Sequence, residues 1–388
     1  MAQTTWTLTD QASDTYQECL EVTADQVGGA AQGYRIEKRR LRGGPSDGVD
    51  VVRIDNGSLQ FDVLPTRGMG LWKAWCGGVA VGWNSPVRGP VHPSLVPMAD
   101  PGGLGWLDGF DELLVRCGLE SNGAPEFNDQ GGLVYGLHGR IGNKPAHFVE
   151  LSVDGETGDI TLRGIVDEIR FHFFKLRLTT TIKTRAGQKS IEIQDTVQNL
   201  SDSPTGIQLL YHINVGPPLL GSGASLVAPV KTLVPRNDWA AASLSRWSVY
   251  DPPAAGTEEQ VYFFNLLANN DNRSGVLLKN AAGDRGFGVQ FDTSQLPCFT
   301  LWKNQTAEAD GYVTGIEPAT NYPNPRSFEE SQGRVVNLQP GQSRQFDLCL
   351  NFHSEASEVA AAEQQIAALS TGEPVIHQTP QPGWCADA

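Results

Sequence analysis

The sequence predicts an all-β protein of antiparallel strands with few short helices. The composition, with 43 Gly, 24 Pro and only 3 Met, marks many tight turns. Aromatic and β-branched residues recur throughout, in short runs that alternate with polar residues. At 388 residues the chain could hold two average domains, but β domains often exceed the usual size as single units, so one large β domain is expected.

Residues 1–50 mix weak strand and turn signals and are expected to pack on a main domain over 51–353. The basic run Arg35-Ile36-Glu37-Lys38-Arg39-Arg40-Leu41-Arg42 within them fits a solvated strand or loop face. From Val51 the pattern becomes strand-like, because 51–55 and 59–64 flank Asn56-Gly57, a two-residue hairpin signal. Segment 84–136 is rich in Pro and Gly. Its Trp106, Phe110, Leu113 and Leu114 argue for packed functional loops rather than disorder. Alternation predicts half-buried strands over 160–165, 171–182 and 191–199, more central strands over 208–213 and 298–303, and a closing strand over 345–352. Ala, Glu and Gln over 357–369 predict the one long helix. In the C-terminal part, 354–388, the Pro-containing tail after Gly372 reads as an extended arm over the surface or onto a partner subunit, which allows a homodimer.

A formal charge of −15 without any long acidic run implies carboxylates scattered over the surface, which repel nucleic acid and anionic lipid. No apolar segment reaches the roughly 18 residues that span a bilayer. The beginning of the chain lacks a basic stretch followed by an apolar one, so a cytoplasmic location is expected. Six widely spaced cysteines without a CxxC pair read as reduced thiols rather than a zinc ribbon or redox dithiol.

The candidate chemistry lies in short segments far apart. Glu317, ahead of Pro318, is held extended, and could serve as a general base or be a surface glutamate before a turn. His212 follows the apolar run Leu209-Leu210-Tyr211 and precedes a Gly-Pro-Pro turn. It could work at the end of a buried strand or be a core histidine satisfied by backbone. His138 lies between Gly136 and Gly139, whose small size would let a ligand approach, although a plain loop histidine fits equally. Arg140 could donate paired hydrogen bonds to substrate oxygens or anchor a loop carboxylate. Arg67, in the Gly-rich turn Leu64-Pro65-Thr66-Arg67-Gly68-Met69-Gly70, reads either as a ligand contact or as a surface arginine. Trp302 offers an aromatic face suited to sugar C–H surfaces, with Lys303 beside it, although core and surface roles remain open for the two. A histidine and a glutamate meeting in a cleft can give a proton to one oxygen of a hydroxyl-rich substrate while taking one from another, which is the chemistry of opening a sugar ring. The other histidines show no metal-ligand spacing, and no phosphate-binding loop, nucleophile elbow or dinucleotide fingerprint occurs, so neither metal nor cofactor is expected.

The order of these motifs, with LPTRGMG, LHGRIGN and GIEPATN as they stand here, resembles the aldose 1-epimerase, or galactose mutarotase-like, family over about residues 50–352, and within it a divergent, uncharacterised branch. The resemblance implies a β-supersandwich with a cleft on its concave face and a small-molecule sugar substrate. It also implies that Glu317 takes the proton of the anomeric hydroxyl, His212 protonates the ring oxygen, His138 helps to hold that oxygen, and Arg67 binds a hydroxyl or carboxylate. An additional Arg and Lys near the cleft would select an acidic or phosphorylated sugar. A non-catalytic carbohydrate-binding protein on the same fold, or a lyase or epimerase acting on a keto sugar, are the competing expectations.

Overall fold

The computed structural model describes residues 3–386 and is built of two large, predominantly antiparallel sheets. A 10-stranded sheet is organised around the consecutive strands Phe148–Asp154, Asp159–Ile169, Lys175–Arg185 and Ser190–Asn199, against which Ser343–His353 pairs. A 14-stranded sheet carries at its middle, side by side, Cys298–Asn304, Val313–Ala319, Thr205–Val215 and Leu114–Leu119. One apolar core lies between the sheets, with Leu151, Leu162, Phe287 and Phe346 from the first meeting Phe61, Tyr211, Phe299 and Ile316 from the second. Alternation produces this arrangement: along Lys175–Arg185 every second residue is buried, so one face of the strand meets the core and the other meets water. Each fully buried Leu or Phe contributes roughly 1.5–3 kcal/mol.

Most expected strands are present, and the differences have local causes. The hairpin joins Asp50–Asp55 to Leu59–Leu64. Its turn falls on Gly57 and Ser58, one residue later than expected, because the Asn56 side chain accepts hydrogen bonds from the Ser58 and Leu59 amides (3.0 and 2.8 Å). The strand expected from 171 begins at Lys175, and Phe171, 80% exposed, lies in the turn before it. Leu114–Leu119 was hidden within the loop-rich segment, because a strand buried on both faces has no polar alternation. The basic run forms the strand Arg35–Arg40, but it is not simply a solvated face: Lys38 is buried, 3.3 Å from Asp50. The N-terminal strand Gln3–Asp10 pairs with Phe148–Asp154. The predicted helix spans Ala356–Ala367. The tail folds back on its own chain, where Val375–Ile376 adds a parallel strand beside Thr232 and Leu233 and Trp384 stacks on Tyr322 (5.0 Å between ring centroids). No helix among the described residues is long and apolar enough to cross a membrane.

Candidate active site

A cavity of about 520 Å³ opens on the 14-stranded sheet, on the face turned away from the core. Its floor is a row of cross-strand neighbours. The register that sets Leu210 against Ala319 and Ile213 against Ile316 brings His212 opposite Glu317, and Glu317 in turn lies opposite Thr300. Both titratable groups are buried, and His212 Nε2 is 3.3 Å from Glu317 Oε1. This contact is not aligned as a hydrogen bond. Glu317 Oε1 and Thr300 Oγ1, both buried and both in cavity-lining residues, have no hydrogen-bonding partner among the described residues. Buried polar atoms of this kind call for a partner, and the cavity is where one can reach these two.

The sheet around this pair is shaped for it. Gly315 lies two residues before Glu317 on the same face. A Cβ there would come within 2.3 Å of Glu317 Oε1 and 3.2 Å of His212 Cε1, so only glycine leaves room for the carboxylate. Asn214, two residues after His212, donates through Nδ2 to the carbonyls of Glu112 (3.0 Å) and His212 (3.2 Å). Its Oδ1 therefore accepts from His212 Nδ1 at 2.6 Å. This fixes the imidazole with its proton on Nδ1 and Nε2 turned to Glu317. Burial pushes the Glu317 carboxyl well above the ordinary carboxylate range, the Glu259 carboxylate adding to the rise and Arg236 opposing it. Burial likewise holds His212 well below the ordinary imidazole range, with His138 adding to the effect and the Asn214 hydrogen bond opposing it. Both directions favour a neutral pair that shares one proton.

His138 stands against His212, their rings 5.1 Å apart. It adopts φ +57°, an uncommon conformation for a residue with a side chain. The carbonyl of Asn122 accepts from its Nδ1 at 2.9 Å, and burial lowers its pKa to about 4. Near neutral pH, His138 is an uncharged imidazole with Nε2 free to accept. Gly139 serves a purpose other than ligand approach: a Cβ there would strike the carbonyl oxygens of Ser121 and Gly118 (2.0 and 2.4 Å), so it lets the loop close onto backbone.

The walls are aromatic. Segment 84–136 does pack: Trp106 lies beside His138 (4.6 Å), and Phe110 (5.1 Å) and Trp302 (5.4 Å) lie edge-on to His212. The Trp302 indole donates to Glu259 Oε2 (2.7 Å), and Arg236 donates to the other oxygen of Glu259 (2.8 Å). Among the described residues no cluster of three or more His, Cys, Asp or Glu side chains could hold a metal ion.

A family model described as a domain of unknown function (DUF4432) matches residues 46–352. A solved structure from Klebsiella pneumoniae subsp. pneumoniae MGH 78578, described as a "putative aldose 1-epimerase", is 37% identical, with a TM-score of 0.94 over 98% of this chain and 99% of that one. The chain belongs to the aldose 1-epimerase, galactose mutarotase-like, family and to its DUF4432 branch. Two more distant structures share the galactose mutarotase-like fold. A galactose mutarotase-like protein from Clostridium acetobutylicum is 13% identical (TM-score 0.57, covering 82% of this chain and 98% of that one). A galactose 1-epimerase from Lactobacillus acidophilus NCFM is also 13% identical (TM-score 0.52, with the same coverage of 82% and 98%). No curated protein matches the chain.

Within this mutarotase-like fold, Glu317, His212, His138 and Trp302 come together around one cavity, whereas Arg67, Arg140 and Lys303 do not line it. Arg67 is buried and engaged by protein, donating to Glu112 Oε1 (2.5 Å), the carbonyls of Val91 and Gly109 (2.8 Å each) and Asn143 (2.8 Å). It therefore ties down the loops that supply Trp106 and Phe110. Arg140 takes the other of its two expected roles and anchors carboxylates, donating to Glu120 (2.9 Å) and lying 3.7 Å from Glu168. Lys303 follows Trp302 directly in a strand, so alternation sends it to the opposite face, where its ammonium donates to the carbonyls of Arg246 (3.0 Å) and Val249 (2.9 Å). Burial lowers its pKa to about 8. Sequence reasoning missed Gly315, Asn214 and Thr300 as parts of the site. All three were accessible from the same alternation, since each lies two residues from Glu317, His212 or Trp302. Arg236 and Glu259 carried no signal beyond that of ordinary charged residues.

Proposed function

We propose that the protein is a cofactor-independent carbohydrate isomerase that interconverts the anomers of a monosaccharide or sugar derivative. The observation that carries this reading is the His212–Glu317 contact of 3.3 Å at the floor of an aromatic-walled cavity.

The pair can give and take one proton in a single encounter. When its proton resides on His212 Nε2, the Glu317 carboxylate takes the proton of the anomeric hydroxyl while Nε2–H gives one to the ring oxygen. The bond from the anomeric carbon to the ring oxygen breaks as the carbonyl forms. This step leaves Glu317 protonated and His212 neutral, which is the arrangement that burial favours, so the open-chain sugar meets the pair in its preferred charge state. Hydrogen bonds from the substrate hydroxyls to the carboxylate favour the ionised form needed at the start. Rotation about the neighbouring C–C bond presents the other carbonyl face. Closure then runs the transfers backwards: Glu317 returns its proton to the carbonyl oxygen, and His212 takes one from the attacking hydroxyl. A neutral His138 can only accept at Nε2. It is suited to a substrate hydroxyl rather than to the ring oxygen, which has no hydrogen to offer.

NMR exchange between anomers tests the reading. The wild type should accelerate exchange, and Glu317→Gln should lose roughly 10²- to 10⁴-fold of that acceleration, the usual worth of a positioned proton-transfer group. Exchange unaffected by the substitution would remove Glu317 from its assigned role. Tight sugar binding without any acceleration would instead identify a carbohydrate-binding protein.

A further inference from the structure

The chemistry of the cavity restricts the sugar it would admit, an inference that rests on the anomer-exchange reading and refines it. Among the described residues, an anionic substituent would find no unpaired cation there. Of the cationic side chains expected near the substrate, none lines the cavity: Arg67 is paired with Glu112, Arg140 holds carboxylates and Lys303 faces the other side of its strand. The lining contains one guanidinium, that of Arg236, and Glu259 already engages it. The lining carboxylates of Glu259 and Asp310 would repel a phosphate or carboxylate, and Glu317, which burial favours in its uncharged form, offers it no positive charge.

The polar groups best placed for the reacting end (Glu317, His212, Thr300 and His138) lie at or beside the floor. Above them stand the rings of Trp106, Phe110 and Trp302, and Leu104 and Leu107 line the cavity while remaining 48% and 42% exposed. Exposed leucines on the wall of a cleft are matched by apolar substrate surface, which removes them from water on binding. A sugar with its anomeric carbon at the floor can turn its far end to this apolar wall.

We propose that the substrate is an uncharged sugar that is apolar at the end remote from its anomeric carbon, the simplest case being a 6-deoxy sugar, with methyl in place of hydroxymethyl. Such a methyl group would lie against leucine and aromatic carbon, where a hydroxymethyl group would lose hydrogen bonds to water, and a 6-phosphate or a uronate would bring its charge into a cavity whose lining also holds the Glu259 and Asp310 carboxylates.

The test compares matched sugars of gluco, galacto and manno configuration, each as the hexose, its 6-deoxy analogue, its uronate and its 6-phosphate. Anomer exchange is followed by NMR and binding by tryptophan fluorescence. In at least one configuration the 6-deoxy sugar should exceed its hexose by about tenfold in kcat/KM or affinity, the usual worth of one small group in an apolar pocket. The uronate and phosphate should be weaker still. The double variant Leu104→Ser, Leu107→Ser, altered at exposed positions that the core does not need, should shrink the preference several-fold. A uronate or phosphate handled best, or hexoses equal to their deoxy analogues in every configuration, would overturn the proposal. Selective binding of the deoxy sugar without accelerated exchange would uphold the ligand class while refuting the anomer-exchange reading. No binding of any sugar would refute both.

Discussion

Gly315→Ala isolates the acid–base pair from the rest of the fold. The added methyl would come within 2.3 Å of Glu317 Oε1 and 3.2 Å of His212 Cε1. A normal contact requires the carboxylate to retreat by roughly 1 Å, and a misplacement of that size in a reacting group costs on the order of 10²-fold. The stability cost should be small, because the atom struck is the free end of a flexible side chain and alanine is otherwise better tolerated than glycine within a strand, by roughly 0.5–1 kcal/mol. The variant should therefore melt within a few degrees of the wild type, keep its tryptophan fluorescence, and lose about two orders of magnitude in NMR-detected anomer exchange. A variant that melts normally and exchanges anomers at the wild-type rate would refute the view that the 3.3 Å His212–Glu317 contact sets the rate.

Two further substitutions test the supporting structure. Arg67→Met removes the buried partner of Glu112 and the donor to the carbonyls of Val91 and Gly109. It should destabilise the protein by about 3–5 kcal/mol, measured by urea unfolding, and impair sugar binding only by way of the displaced loop. Glu168 is buried, and burial raises its carboxyl from 4.5 to about 7, the amide of Leu119 and Arg140 opposing the rise. The folded protein holds this proton more tightly than the unfolded chain, so the stability it contributes is full below about pH 4.5 and is lost as pH rises through about 7. Glu168→Gln should remove that dependence and stabilise the protein at pH 8 by on the order of 3 kcal/mol before relaxation. A wild type whose stability does not decline between pH 5 and 8 relative to the variant would contradict this assignment.

Much of the site was legible because β-structure obeys a period of two. That rule places Trp302, Thr300 and Asn304 on one face of their strand and Lys303 on the other, so grouping Lys303 with Trp302 at the substrate conflicted with the same alternation that identified the strand. His212 was legible as a polar residue after an apolar run, and Glu317 as a carboxylate held extended ahead of Pro318. Their pairing across two strands was not legible, because residues 212 and 317 are joined only by register, which a sequence does not state. The arginines were overvalued for a related reason. A charge in a Gly-rich loop looks available until the carbonyls and carboxylates that consume it are in view, as Val91, Gly109 and Glu112 do for Arg67. Leu114–Leu119 escaped because burial on both faces erases the pattern that reveals half-buried strands.

The neighbours in the middle of the large sheet also determine when the site can exist. Leu114–Leu119, Thr205–Val215, Cys298–Asn304 and Val313–Ala319 lie side by side although long stretches of chain separate them, and Leu114–Leu119 and Thr205–Val215 are direct partners. Bringing such distant segments together costs loop-closure entropy before any contact compensates for it, so assembly of this floor belongs to the slow, late part of folding. During synthesis His212 emerges from the ribosome long before Glu317, and until Val313–Ala319 follows, its strand presents an unpaired edge. The His212–Glu317 contact is thus a marker of completed folding: a chain in which these two side chains meet is one whose central strands have all found their places.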